Sequence, residues 1–269
     1  SYILDVPSER VAALVREKRL AATSDYARVA ELDTINVCVP TPLRKTREPD
    51  LSFIVDSLRA MAPHMRADQL LILESTTYPG TTEEILVPIL EEVGLRPGRD
   101  VEVAFSPERT DPGNKAYSTR TIPKVVGGMT PRANEAAVAL YGRCIDKVVS
   151  VSSPKVAEMV KLLENTFRSV NIALVNEMAM LCDSFGIDVW EVIDAAATKP
   201  FGFMPFYPGP GIGGHCILID PFYLSWIARK YDFQTNFINL AAETNENMPF
   251  YVKNMIFREI SMQPISMRD

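Results

Sequence analysis

The sequence predicts an α/β protein: an open parallel sheet over the first half, then an all-helical half built on one long helix. Three observations carry this. Short β-branched runs alternate with amphipathic stretches through residues 1–150. The runs are almost continuously apolar, as strands covered on both faces are. Beyond them, helix start and stop signals bracket about thirty residues without interruption.

The strands are expected in "TINVCV" (34–39), "LLILES" (70–75), "EVAF" (102–105), "PKVVGG" (123–128) and "KVVSVS" (147–152). Helical patterns lie between them near 7–19, 50–62, 81–93 and 131–144. In such sheets ligands gather at the carboxyl ends of the strands. Here those ends are "PTP" (40–42), "STTYPG" (75–80) and "SPER" (106–109), all polar, loop-like and proline-bearing. In the second half Ser152 and Ser153 stand as caps, Pro154 occupies a first turn and Gly186 marks a stop. A short helix is expected in "DVWEVIDAAAT", followed by the glycine-rich "GPGIGGHC". A helix in "DPFYLSWIARKYD" would take Asp220 as its cap and Pro221 as its first residue, and a last one runs from about Asn236 to Ile260. The expected division is 1–150 and 151–269.

Composition excludes several classes. The 269 residues are 47% apolar and 23% charged, as in an ordinary globular chain with a real core. The net charge of −6 with no long basic run argues against nucleic acid, though a local Lys or Arg suffices for a phosphate-bearing small ligand. No apolar run of about 18 residues predicts a membrane span, and no signal-peptide pattern is visible. Cys38, Cys144, Cys182 and Cys216 are scattered, three of them in settings that read as buried thiols, which fits a reducing cytoplasmic compartment. With two histidines, a His/Cys metal site is poorly supplied, and none is expected.

The polar face of the long helix is unusual. Asparagine is a mediocre helix former, yet "VKLLENTFRSVNIALVNE" holds three. Lys161, Asn165, Arg168 and Asn176 fall within an arc of roughly 80°. Lys161 and Asn165, spaced i and i+4, could aim an ammonium and an amide at one oxygen and so stabilise an oxyanion. A solvated face is the plainer alternative.

Five segments in order, "VPTPL", "LESTTYPGTT", "FSPERTDPGN", "AEMVKLLENTFRSVNIALVNE" and "GPGIGGHCILIDP", closely resemble the nucleotide-sugar dehydrogenases of the UDP-glucose/GDP-mannose type. "ATKPFGFMPFYPGPGIGGHC" looks most like the branch acting on UDP-N-acetylhexosamines. The resemblance implies a partial Rossmann-like NAD-binding domain, a central helical domain that dimerises through its long helix, and oxidation of a sugar C6 alcohol to a carboxylate with NAD. Such chemistry proceeds through an aldehyde to which a thiolate adds, and the thioester formed by the second hydride transfer is then hydrolysed.

By resemblance Cys216 is the nucleophile, its thiolate favoured by a helix beginning at Pro221, and the bare glycines admit the sugar. Lys161 and Asn165 would stabilise the oxyanions, and Asp220 would orient the thiol or the water. Glu108 would act as general base or steer the water, and Thr76 would hold that water. Thr41, Ser75 and Thr76 would line the NAD site. Glu108, Arg109, Thr110, Lys161, Asn165, Tyr207 and Gly213 would meet the UDP-sugar.

The sequence also departs from the pattern. No G-x-G-x-x-G stands between a strand and a helix, and Leu218 stands where relatives usually carry proline. The expectation is that the first β-α-β unit and a terminal UDP-binding domain lie outside these residues. The chain by itself should then bind NAD weakly or not at all, which a micromolar dissociation constant would refute. The alternative is a catalytically incomplete fragment or pseudoenzyme acting as a dimerising module.

Overall fold

A computed structural model describes residues 6–46, 48–110, 116–213 and 216–262, apart from the side chains of Cys216 and Leu218. After a first helix, α1 (Ser8–Arg16), strands β1 (Thr34–Val37), β2 (Leu70–Leu73), β3 (Glu102–Phe105), β4 (Lys124–Gly128) and β5 (Val148–Val151) form one sheet in sequence order. Each falls within its expected segment.

Successive strand residues face opposite sides, and both sides are filled. Leu71, Leu73, Val103, Phe105 and Val125 pack with α2 (Ser52–Met61) and α3 (Val87–Glu92), which continues from a π-helical stretch, Thr82–Leu86. Leu70, Ile72, Ala104 and Val126 pack on the other face with Ala137 and Tyr141 of α4 (Pro131–Tyr141).

One pairing differs from expectation. Strands β1, β2 and β3 are parallel, and so are β4 and β5, but β4 runs antiparallel to β3. A parallel return requires a crossover, usually helical. Among the described residues the link from β3 to β4 contains no helix, so it remains at the carboxyl end of β3. Lys124, the first residue of β4, consequently lies at the ligand-binding edge of β1–β3.

The long helix α5 runs Pro154–Phe185, 32 residues, with the caps the sequence predicts. The Ser153 side chain accepts from the Val156 amide, Pro154 stands in the first turn, and Gly186 closes the helix in the left-handed region at φ 68°. Its start crosses β4 closely: a Cβ on Gly127 would lie 2.1 Å from the Ser153 carbonyl oxygen, so only glycine fits. Helices α6 (Val189–Ala197), α7 (Cys216–Ala228) and α8 (Asn236–Ser261) complete the helical half, α7 and α8 packing on α5.

Helix α7 starts earlier than its sequence predicts. It begins at Cys216, and Pro221 lies inside it. Asp220 is therefore a helical residue and not a cap. Pro221 stands in the second turn, where its missing N–H removes the bond to the Ile217 carbonyl. The thiols differ too: Cys182 is buried, whereas Cys38 and Cys144 are exposed. Cys38 follows the end of β1 and Cys144 stands in the turn after α4, both beyond the layers that cover the sheet. Among the described residues no helix is long and apolar enough to cross a membrane.

Candidate active site

The carboxyl ends of β1 and β2, the loop after β3 and the start of α7 enclose a cleft of about 360 Å³. Its lining includes Thr41, Ser75, Thr76, Glu108 and Asp220, five residues expected at the site, together with Cys38, Glu74 and Ile219. Tyr223, buried in α7, donates to the Thr41 carbonyl at 2.9 Å and so holds the loop after β1 against the helical half. Ser75 is mainly structural: its hydroxyl accepts from the Val39 amide at 2.7 Å and donates to the Val39 carbonyl at 2.8 Å, tying together the ends of β1 and β2.

Glu108 is the most heavily bonded carboxylate of the cleft. One oxygen accepts from the amides of Arg109 (2.9 Å) and Thr110 (2.7 Å) and from the Thr110 hydroxyl, and the other from Lys124 Nζ at 3.1 Å. Burial opposes its ionisation, but the Thr110 hydroxyl, the Lys124 ammonium and the Thr110 amide outweigh it and bring the carboxyl to about 2. So low a value makes Glu108 a firm anion and, in this arrangement, a weak base.

From α5, Lys161 Nζ donates to the Glu108 carbonyl at 2.6 Å, and Asn165 Nδ2 donates to the Asp220 carboxylate. The two side chains expected to converge on one oxygen thus reach two different acidic residues of the cleft, Glu108 and Asp220, instead. An ammonium carries three donors and a primary amide two, so each retains donor capacity toward a ligand between them. Asp220 is 3% exposed, held within the helix pair and not at a helix tip. Arg168 is exposed, while Asn176 is buried and turned to another task, donating to Asn245 Oδ1 at 2.8 Å and accepting from the Gly209 amide at 2.9 Å.

The other expected ligand contacts scatter. Arg109 makes a two-pronged pair with Glu164 of α5 (2.6 and 3.1 Å) and donates to the Pro123 carbonyl, so its charge is already matched. Thr110 serves Glu108. Tyr207 stacks on Trp190, with ring centroids 5.6 Å apart, and donates to Asp194 at 2.9 Å. Neither it nor Gly213 lines the cleft. In the glycine-rich loop, Gly211 adopts φ +121°, and a Cβ there would meet the Asn245 carbonyl oxygen at 3.1 Å, whereas Gly213 faces open space. The side chain of Cys216 lies outside the described residues; its backbone opens α7, four residues before Asp220.

Two carboxylate sites escaped the sequence reading. Glu74, at the end of β2, accepts from Lys124 Nζ (2.8 Å), the Tyr141 hydroxyl (2.5 Å) and Asn36 Nδ2 (2.5 Å). Glu158 in the first turns of α5 accepts from the amides of Gly80 (2.5 Å) and Thr82 (2.9 Å) and the Thr82 hydroxyl (2.7 Å). The sequence signal for Glu74 was its position at a strand end. Glu158 offered none beyond being acidic on an otherwise apolar helical face.

The lining sets Thr41 and Thr76 beside apolar Val39, Pro40 and Ile219, with Glu74, Glu108 and Asp220 as its acidic residues.

Residues 5–145 match the model of the UDP-glucose/GDP-mannose dehydrogenase family NAD binding domain, and residues 155–247 match that family's central domain. The chain is 38% identical over 256 residues to Protein CapL of Staphylococcus aureus, covering 94% of this chain and 60% of that protein. It is also 38% identical over 249 residues to UDP-N-acetyl-D-glucosamine 6-dehydrogenase of Pseudomonas aeruginosa, covering 92% and 58%. Among solved structures, UDP-D-ManNAc dehydrogenase from Pyrococcus horikoshii superposes with a TM-score of 0.89 at 34% identity, covering 97% of this chain and 62% of that one. The chain therefore spans about three fifths of the length of these relatives.

Proposed function

This chain belongs to the UDP-glucose/GDP-mannose dehydrogenase family, and we propose that its protein oxidises the C6 alcohol of a UDP-N-acetylhexosamine to a carboxylate with NAD, for polysaccharide precursor synthesis. The observation that carries the reading is a cleft lined by Glu108 and Asp220 beside the start of α7, with Lys161 and Asn165 of α5 bonded to those two residues from outside its lining. The sugar type is supported by the relatives named for N-acetylated UDP-hexosamines. Residues 1–150 would bind NAD, and 151–269 would supply the helical catalytic and dimerising half.

Bound NAD supplies two hydride acceptances per turnover. Thr41, Ser75 and Thr76 would hold its ring end. The Cys216 thiolate adds to the aldehyde carbon, and Lys161 and Asn165 hold the oxygen that gains charge. Loss of the second hydride leaves a thioester on Cys216. Water, steered by Asp220 and Thr76, attacks that carbon, releasing the carboxylate and returning the thiol. In sum one alcohol, two NAD and one water give one carboxylate, two NADH and three protons. Glu108, held as an anion, acts through its charge unless a ligand draws it from Lys124. Arg109, Thr110, Tyr207 and Gly213 stand further from the reading, for the reasons given by their partners.

A homodimer through α5 is part of the proposal. Met159, Leu163, Phe167, Leu174, Met178 and Leu181 are all at least 40% exposed and recur at helical spacing along one stripe. Such a continuous apolar stripe is covered in stable proteins. We place the protein in the cytoplasm, where unpaired thiols such as Cys38 and Cys144 stay reduced.

The test is to incubate the full-length protein with UDP-N-acetylglucosamine or its C2 and C4 epimers and NAD, following NADH absorbance. Two NADH per sugar consumed is expected. Absence of NADH with every UDP-sugar tried would leave the dimerising module as the better description.

A further inference from the structure

The reversal of β4 brings a lysine to the cleft that no role above accounts for. Lys124 is 7% exposed, and its ammonium lies 2.8 Å from Glu74 Oε2 and 3.1 Å from Glu108 Oε2. It also stands 5.0 Å from the centre of the Tyr141 ring. Glu74 is itself fixed by the hydroxyl of Tyr141 and the amide of Asn36, so the ammonium is anchored at its inner end. Glu108, by contrast, is half exposed and faces the cleft. A buried cation thus joins one immobile carboxylate of the sheet to one that borders the ligand space.

We propose that Lys124 is a positioning residue of this site, a buried bridge from Glu74 that holds the Glu108 carboxylate in place and keeps it anionic. The proposal rests on the dehydrogenase reading for its importance to catalysis, but not for its geometry.

The groups facing Lys124 come from each neighbouring element: Cys38 after β1, Glu74 after β2, Glu108 after β3 and Tyr141 of α4. Burial disfavours the ammonium, but the Glu74 and Glu108 anions outweigh it and raise the lysine above its ordinary value. It therefore remains charged wherever the protein is folded. Without it, Glu74 and Glu108 would share a partly desolvated space with no cation between them, and the Glu108 carboxylate would be harder to keep ionised. The Tyr141 hydroxyl is held protonated by burial and by Glu74, so it adds no further negative charge beside the two carboxylates.

The experiment is a carboxyl-carbon NMR titration of the 269-residue chain, with the Glu108 resonance assigned by its loss in Glu108→Gln. In the parent chain and in Lys124→Arg, Glu108 is expected to stay ionised at about pH 4, below the ordinary glutamate value. In Lys124→Met its midpoint should move upward by about two pH units or more. A folded Lys124→Met protein whose Glu108 titrates as in the parent would overturn the proposal. Should that variant not fold, Glu74→Gln/Lys124→Met removes the buried anion together with its cation. The Thr110 hydroxyl and amide still hold Glu108 down, so its midpoint should rise above that of the parent without reaching the ordinary range, and a midpoint unchanged from the parent would again overturn the proposal. The titration involves no turnover, so it separates this inference from the dehydrogenase reading. If the full-length protein does oxidise a UDP-sugar, the acid limb of its kcat profile should move upward with the Glu108 midpoint in Lys124→Met and stay in place in Lys124→Arg.

Discussion

Among the contacts of helix α5 with the sheet half, two lie one turn apart and involve glutamates of opposite character. At the first, Glu158 on the helix receives two amides and a hydroxyl from the loop after β2, and no cation is among its partners. At the second, Lys161 on the helix reaches the backbone of Glu108, whose own carboxylate is shared by Thr110 and Lys124. Burial dominates at the first, so the Glu158 carboxyl is raised despite its donors. Paired charge and donors prevail at the second, and Glu108 falls to about 2. The difference teaches that one contact is a dock, satisfied within the protein, and the other is a site with charge turned toward ligand space.

The comparison breaks most visibly at Lys161. Lys161→Met should lower kcat by about 10²–10³-fold, the usual loss for one oxyanion donor, with unfolding free energy changed by no more than about 0.5 kcal/mol. NADH production and urea unfolding of the same variant check both halves. Equal losses of activity and stability would make this contact a second dock. Glu158→Ala should do the reverse. It strips the acceptor from two buried amides and a hydroxyl, and a loss of about 3 kcal/mol in urea unfolding is expected. A comparable structural effect is expected at the crossing of β4 and α5, where Gly127→Ala should cost about 3 kcal/mol or more, because the Ser153 backbone itself would have to move.

The smallest effect lies in pH dependence, and its sign differs between the two glutamates. Glu108, lowered in the folded state, contributes stability that is complete above the unfolded value of about 4.3 and is lost as pH falls toward 2. Glu158, raised in the folded state, contributes stability present below that unfolded value and lost as pH rises through its folded one. Replacing Glu108 by Gln should flatten the acid-side loss, and replacing Glu158 by Gln should flatten the loss on the rising side. Denaturation midpoints across about pH 3–7 read both slopes, since a folded and an unfolded pKa one apart are worth about 1.4 kcal/mol before screening. Parallel slopes in the two variants would erase the contrast.

Much of this was legible in sequence. The strands are short apolar runs with turn residues between them, and α5 carries its own start and stop signals, so local physics located them. The three strand-end loops were likewise correctly read as one edge, because strand direction follows from order when helices intervene. That same inference misled at β4. No helix links β3 to β4 among the described residues, the strand runs the other way, and Lys124 arrived at an edge where a parallel strand would have put Gly128. Pro221 misled in another way, since its common first-turn position overrode the longer helix that begins at Cys216. The Glu158 dock and the Asn176–Asn245 pair join residues about seventy positions apart, and no local pattern announces them.

The central claim is that the sulfur of Cys216 becomes bonded to the carbon being oxidised. Full-length protein mixed with UDP-N-acetylglucosamine and NAD, quenched in acid within one turnover and digested, should yield the Cys216 peptide heavier by the uronoyl group, with hydroxylamine removing that mass. An unmodified Cys216 peptide, together with undiminished double oxidation in Cys216→Ala, would contradict the account.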